Sequence, residues 1–241
     1  MSLWLVGGLF VLAVISGMLG LGVAFAAVPF LSLFLPDLVH QVQPLSLLLN
    51  GVTALFAVFG FAQSGHVDWR KALLLGLITT LFAPVGAWLV QRVQVQWVWW
   101  VYLAAVAYLA FNLFRPVKAT HSRENFPLAL GLAAPISVLS GFLGVGPGFL
   151  LMPTLILTGH NPKRAAGINA FAVTPPSFSS FLPHLGTAQL DFGLTLTLLV
   201  FGALGSYMGS RLTSLYVPPA RIKQIFGVLI VLVTLYKVTR L

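Results

Sequence analysis

The 241-residue chain contains no cysteine, and only 7% of its residues are charged. The lack of cysteine excludes disulfides, thiolate metal sites, iron-sulfur clusters and cysteine nucleophiles. A soluble domain of this length would carry roughly 60 charged residues, whereas this chain has 13 Lys or Arg and four Asp or Glu. No stretch of the sequence is polar enough to form a sizeable domain outside a membrane. The composition therefore excludes a soluble globular protein.

Long apolar segments fill the chain instead. Hydrophobic residues make up 59% of the sequence, and the mean hydropathy is +0.99. At about 20 apolar residues per span, this length suffices for about eight to ten helical crossings of a membrane. We therefore predict an all-α integral membrane protein. Ten apolar segments are bounded by Gly, Pro or charge, at 3–20, 23–35, 41–64, 71–91, 97–115, 127–144, 148–158, 166–185, 190–212 and 220–239.

The two halves of the chain, with five segments each, resemble one another. The stretch ISGMLGLGVAFAAVPFL from Ile15 overlays LSGFLGVGPGFLLMPTL from Leu139, with eight identities in the sixteen positions from Ser16. A shared composition alone would give about one or two identities. The duplication predicts two membrane repeats, 1–115 and 127–241, joined by a polar linker at 116–126. With one single-residue gap, the alignment continues and pairs Ser46 with Asn169 and Asp68 with Asp191.

Basic residues predict how the repeats are oriented. The second segment of each half is too short to span about 30 Å of bilayer as a helix, so it is a short or re-entrant helix. When the segments are threaded through the membrane in order, ten basic residues lie on one side and three on the other. The side with more basic residues, which includes the linker, is predicted to be cytoplasmic. Both termini are then outside. Each half has an odd number of crossings, so the repeats have inverted topology, as in many secondary transporters. The ten are Arg70, Lys71, Arg115, Lys118, Arg123, Lys163, Arg164, Arg211, Arg221 and Lys223, and the three are Arg92, Lys237 and Arg240.

The duplicated element S-G-x-L-G-x-G-x-x-F-x-x-x-P-x-L predicts a binding site for a small anion. Its glycines allow a tight turn inside the membrane, after which a short helix begins. The first N–H groups of that helix lack intrahelical partners and favour a negative charge. Close helix packing is the alternative role for these glycines. The predicted substrate-binding residues of the turns are Gly20, Gly22, Val23 and Ala24 in the first half and Gly144, Gly146 and Gly148 in the second.

Polar residues within the apolar segments are further candidates, because such residues are costly there and tend to face the protein interior. Asn169 can donate two hydrogen bonds to an oxyanion and Ser46 one, although either can instead bond to a neighbouring helix. Asp68 and Asp191 precede apolar segments and are favoured as helix N-caps, with proton coupling or gating as the alternative. His184 is the remaining candidate for coupling, and the alternative is that it lies at the membrane interface without a role. Weaker candidates are Asn50, Gln63, Thr174, Ser177, Ser179 and Ser180.

The sequence offers little for an enzyme. Neither Ser16 nor Ser140 has the preceding glycine of a G-x-S-x nucleophile motif, and His184 alone is placed to serve as a base. The buried carboxylate and arginine groups, metal-ligand clusters and nucleotide motifs of other membrane enzymes are missing as well. We therefore expect no catalytic residue, no metal and no cofactor.

The Gly-rich turn followed by P-x-L, present twice in the chain, resembles the TauE/SafE sulfite exporter family, also called the toluene-sulfonate uptake permeases. Two further segments resemble family motifs, SGHVDW at 64–69 and AAGINA at 165–170. The resemblance implies a multi-pass carrier that moves sulfite, sulfonates or related anions across the cytoplasmic membrane. The chain departs from the family's G-x-G-G-G turns at Val23 and Ala24 in the first half and at Pro147 in the second, and Ile168 replaces the threonine before Asn169.

Together, the sequence and the resemblance predict a secondary transporter for small sulfur-containing anions, working as an exporter in the inner membrane. Alternating access would occur around a site near the midplane. A passive anion channel and a non-transporting scaffold remain alternatives. The expected partners are a small anion and the lipid bilayer, with proton or ion coupling and a homodimer left open. Nucleic acid is not expected despite the net charge of +9, because the basic residues lie at segment ends.

Overall fold

The structure, a computed structural model, describes residues 3–89, 124–143 and 146–218, and also 221, 222, 224, 225 and 228. Every regular element in these residues is helical, which confirms the predicted all-α class. The predicted segment 97–115 and most of 220–239 lie outside the described residues. The helices are α1 (Leu3–Leu19), α2 (Ala24–Leu31), α3 (Gln43–Ala62), α4 (Trp69–Leu89), α5 (Phe126–Leu143), α6 (Gly148–Leu157), α7 (Pro162–Phe181) and α8 (Phe192–Leu215).

Two of these helices are long and apolar enough to cross a membrane by length and composition. The first is the span His40–Ala62, which is α3 with the end of the π-helical turn Leu38–Val42, and the second is α8. Large apolar side chains on the outer surface of the bundle support the same conclusion, for example Leu81 on α4 and Phe192 on α8, which are 62% and 80% exposed. Such a surface is unfavourable in water and favourable against lipid chains.

The second helix of each half is short, as predicted. α2 has eight residues and α6 has ten, which correspond to lengths of about 12 and 15 Å at 1.5 Å per residue. Neither helix can cross about 30 Å of hydrocarbon alone. α2 ends at Leu31, earlier than the apolar segment 23–35 indicates.

The same helix contact occurs twice in the bundle. α1 packs along α8, and α5 packs along α4. A Cβ atom on Gly17 of α1 would overlap the backbone of Ser206, and a Cβ atom on Gly141 of α5 would overlap the backbone of Ala83. These glycines therefore let each helix pair approach closely. Two more glycines make equivalent contacts, Gly209 with Val14 on α1 and Gly86 with Val138 on α5.

The helices α3 and α7 lie at the centre of the described bundle. They pack against each other, and each also packs against a long outer helix, α3 against α8 and α7 against α4. The short helices complete the arrangement, because α2 packs on α3 and α6 packs on α7. This places the beginning of each short helix against the side chains of a central helix.

Candidate functional site

The first glycine turn joins α1 to α2 and requires glycine at two positions. Gly20 and Gly22 have φ angles of +63° and +68°, in the left-handed region that other residues rarely adopt. A Cβ atom on Gly20 would also overlap the carbonyl oxygen of Ala166. The predicted tight turn is therefore confirmed. In the second turn, the predicted site residue Gly144 lies outside the described residues, whereas Gly146 and Gly148 are described.

The structure brings the beginnings of the two short helices together. Phe25 in the first turn of α2 and Phe149 in the first turn of α6 stack with ring centroids 5.4 Å apart and an interplanar angle of 20°. Both rings are buried. The positive ends of two helix dipoles therefore lie in one apolar region of the protein.

The side chain of Asn50 on α3 lies between the two turns. Its Oδ1 accepts a hydrogen bond from the N–H of Ala24 at 2.8 Å, and its Nδ2 donates to Ser177 Oγ on α7 at 2.8 Å. A Cβ atom on Gly22 would overlap Oδ1, and one on Gly146 would lie 2.6 Å from Nδ2. Both glycines are therefore needed for the amide to fit.

Asn169 on α7 contacts both turns through the same amide NH₂ that is predicted to donate to an oxyanion, so its role in substrate binding stays a prediction. Its Nδ2 donates to the carbonyl oxygens of Gly20 at 2.7 Å and Gly148 at 3.3 Å. Because the amide NH₂ must face these two acceptors, the flipped orientation is excluded. Asn169 is fully buried, and within the described part of the chain its Oδ1 has no hydrogen-bond donor.

Most N–H groups of the first turn are already bonded to protein acceptors. Among the described residues, the N–H of Gly22 has no acceptor, and neither has that of Gly146 in the second turn. Like Asn169 Oδ1 on α7, these two N–H groups therefore have no described hydrogen-bond partner. An anion held by Val23 and Ala24, as also predicted, would have to replace existing bonds. The bonded donors are Gly20 to Gly17 O at 3.2 Å, Leu21 to Ser16 O at 3.1 Å, Val23 to Thr53 Oγ1 at 3.2 Å and Ala24 to Asn50 Oδ1 at 2.8 Å.

Ser46 lies on α3, one helical turn before Asn50, and is fully buried. Its Oγ has no partner among the residues that the structure describes. The sequence alignment pairs Ser46 with Asn169, whereas by helix position Asn50 corresponds to Asn169, because each of these two occupies the eighth position of a 20-residue central helix. Asn50 is only a weaker candidate by sequence, although an asparagine inside an apolar segment is itself a signal.

The two aspartates are helix N-caps. Asp68 Oδ1 accepts from the N–H of Lys71 at 3.2 Å at the start of α4. Asp191 Oδ1 accepts from the N–H of Leu194 at 2.6 Å at the start of α8. These bonds confirm the favoured N-cap interpretation, while coupling or gating stays a prediction. His184 ends a 3₁₀ turn after α7 and is half-buried, so its predicted coupling role also stays a prediction.

A charged cluster, which sequence analysis missed, joins the start of α4 to the residues before α5 and after α6. Lys71 forms an ion pair with Glu124 and lies 3.5 Å from Asp68 Oδ2. The ring of His160 is fully buried, with Nδ1 3.1 Å from Leu155 O and Nε2 3.9 Å from Glu124 Oε2. Burial lowers the pKa of His160, and the hydrogen bond from Lys71 lowers the pKa of Glu124. Within the described residues no group of three or more His, Asp or Glu is placed to hold a metal ion.

Comparison with known proteins finds relatives that are described as membrane transporters. A "Probable membrane transporter protein" of Xylella fastidiosa strain Temecula1 is 26% identical over 235 residues, which cover 93% of this chain and 90% of the relative. A protein of Bacillus subtilis described in the same words is 23% identical over 218 residues, covering 86% and 88%. One of Methanocaldococcus jannaschii is 20% identical over 185 residues, covering 73% and 69%. No solved structure gives a significant match.

These similarities and the apolar helical bundle define the protein as a membrane transporter. The family described as "Sulfite exporter TauE/SafE" matches residues 5–237, nearly the whole chain. The protein therefore belongs to the TauE/SafE family.

Proposed function

We propose that this transporter is a secondary carrier for small sulfur-containing anions, sulfite or organosulfonates, and that it exports them across the inner membrane. The observation that carries the proposal is the meeting of two glycine turns whose Gly22 and Gly146 N–H groups have no acceptor among the described residues. Such groups at the start of α2 and α6 favour an anion without a buried cation. The description of the family as a sulfite exporter supports the proposed substrate class and direction.

The proposed architecture consists of two inverted-topology repeats. The equivalent contacts of α1 with α8 and of α5 with α4 support a duplicated unit. An odd number of predicted segments in each half gives the units opposite orientations, as in many secondary transporters. The excess of Lys and Arg on one side supports a cytoplasmic linker and termini on the outside.

Alternating access would follow from a rocking of one half against the other. In the structure the space between the turns is closed, because Asn50 and Asn169 are 1% and 0% exposed. Two hydrogen bonds cross between the halves at this point, Asn50 to Ser177 Oγ and Asn169 to Gly20 O. Breaking one of them while keeping the other would open the turns to one side of the membrane.

The first test is thermal unfolding of the detergent-purified protein with sulfite, sulfate, thiosulfate, small sulfonates, carboxylates or chloride. A ligand at 100 times its Kd stabilises the folded state by about 2.7 kcal/mol, which raises the apparent Tm of a protein of this size by about 5–10 °C. Among these anions, we expect this shift with the sulfur oxyanions and not with carboxylates or chloride. Equal Tm values with all the anions would contradict the substrate class.

Variants connect the shift to the turns. Gly146→Leu places a side chain against Asn50 Nδ2, so the ligand-dependent shift and transport in proteoliposomes should both disappear while the variant still inserts into the membrane. Gly131→Leu on α5 is the matched control, because a Cβ atom there meets nothing within 4 Å. Normal transport by Gly146→Leu would refute the site. Counterflow of labelled substrate distinguishes a carrier from a channel.

A further inference from the structure

The unpaired oxygen of Asn169 specifies the ligand further. Its amide NH₂ is held by two carbonyl oxygens, one from each turn, so the orientation of the whole amide is fixed. The side chain is fully buried, and its Oδ1 has no donor within the described residues. A buried acceptor without a donor keeps its desolvation cost uncompensated, so a ligand that donates there is favoured.

The surrounding groups limit the charge of that ligand. The described hydrogen-bond partners of Asn50 and Asn169 are all neutral backbone or hydroxyl groups. The positive ends of α2 and α6 favour one negative charge on the ligand. A second negative charge would have no counter-charge, because no Lys or Arg takes part in the described hydrogen bonds of this region. The same helix ends disfavour a metal cation beside Asn169 Oδ1.

We propose that the turns bind an acid monoanion that retains one hydroxyl group. Its charged oxygens accept hydrogen bonds from the N–H groups of Gly22 and Gly146, and its O–H donates to Asn169 Oδ1. This inference rests on the proposed anion-binding function and narrows the ligand to the hydrogen form of an oxyacid. A fully deprotonated dianion leaves Asn169 Oδ1 unpaired and adds a charge without a partner.

Methylphosphonate and methanesulfonate provide the test, because the two have nearly the same shape. At about pH 5.5, below the second phosphonate pKa, both are monoanions, and only methylphosphonate carries an O–H. The hydroxyl should tighten binding about tenfold, as expected for one additional buried hydrogen bond. Raising the pH to about 8.5 converts methylphosphonate to a dianion and should reverse the preference, whereas methanesulfonate keeps its charge. Dissociation constants come from thermal-shift titrations of the purified protein at each pH.

Paired asparagine variants assign the effect to one atom. Asn169→Leu should remove the preference for methylphosphonate at the lower pH. Asn50→Leu is the matched control, since both ends of the Asn50 amide already have protein partners, and it should keep the preference in whatever binding remains. If the leucine variants do not fold, the two ligands on the unmodified protein still decide the question.

The outcomes separate this inference from the proposed function. Equal binding of methylphosphonate and methanesulfonate by the unmodified protein, at both pH values, would overturn the hydroxyl requirement while leaving an anion site. An Asn50→Leu variant that loses the preference while Asn169→Leu keeps it would also overturn the assignment to Asn169. No stabilisation by either compound, nor by any sulfur oxyanion, would refute the anion site itself.

Discussion

Replacing Asn50 by alanine should destabilise the protein through the start of α2. The substitution removes the acceptor of the buried Ala24 N–H, now 2.8 Å from Asn50 Oδ1, which costs about 1–3 kcal/mol. The space left by the amide adds about 1 kcal/mol. Ser177 loses little, because its Oγ still donates to Val173 O at 2.6 Å. The expected total is about 2–4 kcal/mol.

Thermal unfolding in detergent measures this loss. One kcal/mol corresponds to about 2–4 °C for a protein of this size, so the apparent Tm should fall by roughly 4–16 °C. Ser46→Ala is the control, because Ser46 lies one turn earlier on the same helix and its Oγ has no described partner. Removing an unpaired buried hydroxyl should leave the Tm unchanged or raise it. The reasoning is refuted if Asn50→Ala leaves the Tm unchanged, or if Ser46→Ala lowers it as much.

Three further predictions use other parts of the structure. Gly22→Ala should lower the Tm and abolish ligand binding, because the φ of Gly22 is +68° and the new Cβ overlaps Asn50 Oδ1. The control Gly131→Ala should do neither. Ligand binding by Gly22→Ala would contradict this prediction. Asp191→Asn keeps the N-cap acceptor and should have the wild-type Tm, whereas Asp191→Ala should lower the free energy of unfolding by about 1 kcal/mol. If Asp191→Asn has normal stability but loses proton-dependent transport, the result would instead support a role of Asp191 in coupling. Burial lowers the pKa of His160 below 6.5, so the folded protein binds this proton less tightly than the unfolded chain, and the Tm should fall as the pH drops below about 6.5. In His160→Asn that fall should be smaller, and the part that remains comes from other groups whose pKa is also lowered, among them His66 and, at lower pH, Glu124.

The local features of the site could be predicted from the sequence because they depend on neighbouring residues. Glycines at 20 and 22 specify a turn that needs positive φ angles, and the structure has both. An aspartate before an apolar helix specifies an N-cap, and Asp68 and Asp191 form those bonds. The short lengths of α2 and α6 also follow from where the glycines and polar residues interrupt the apolar segments.

The register of the central helices could not be obtained in the same way. The connection before α3, residues 32–42, is longer than the connection before α7, residues 158–161, whereas the connection after α3 is the shorter one of its pair. These differences nearly cancel. The alignment with a single-residue gap therefore pairs Asp68 with Asp191 at the starts of α4 and α8, but within α3 and α7 it pairs Asn169 with Ser46 instead of Asn50. The position of each residue within its central helix makes Asn50 the counterpart of Asn169.

The two asparagines also make the proposed rocking motion testable. Asn50 donates to Ser177 across the halves, and a buried hydrogen bond contributes about 1 kcal/mol, enough to change the ratio of two conformations about fivefold. Ser177→Ala removes this bond and keeps the bond between Asn169 and Gly20, so it should favour the conformation that opens beside Ser177. The chain has no cysteine, so Val173→Cys provides a single label at a side chain that is 0% exposed in the closed structure. Its labelling by a membrane-impermeant maleimide should rise in the Ser177→Ala background from one side of the membrane only. Equal labelling with and without Ser177→Ala would show that this bond does not hold the halves together.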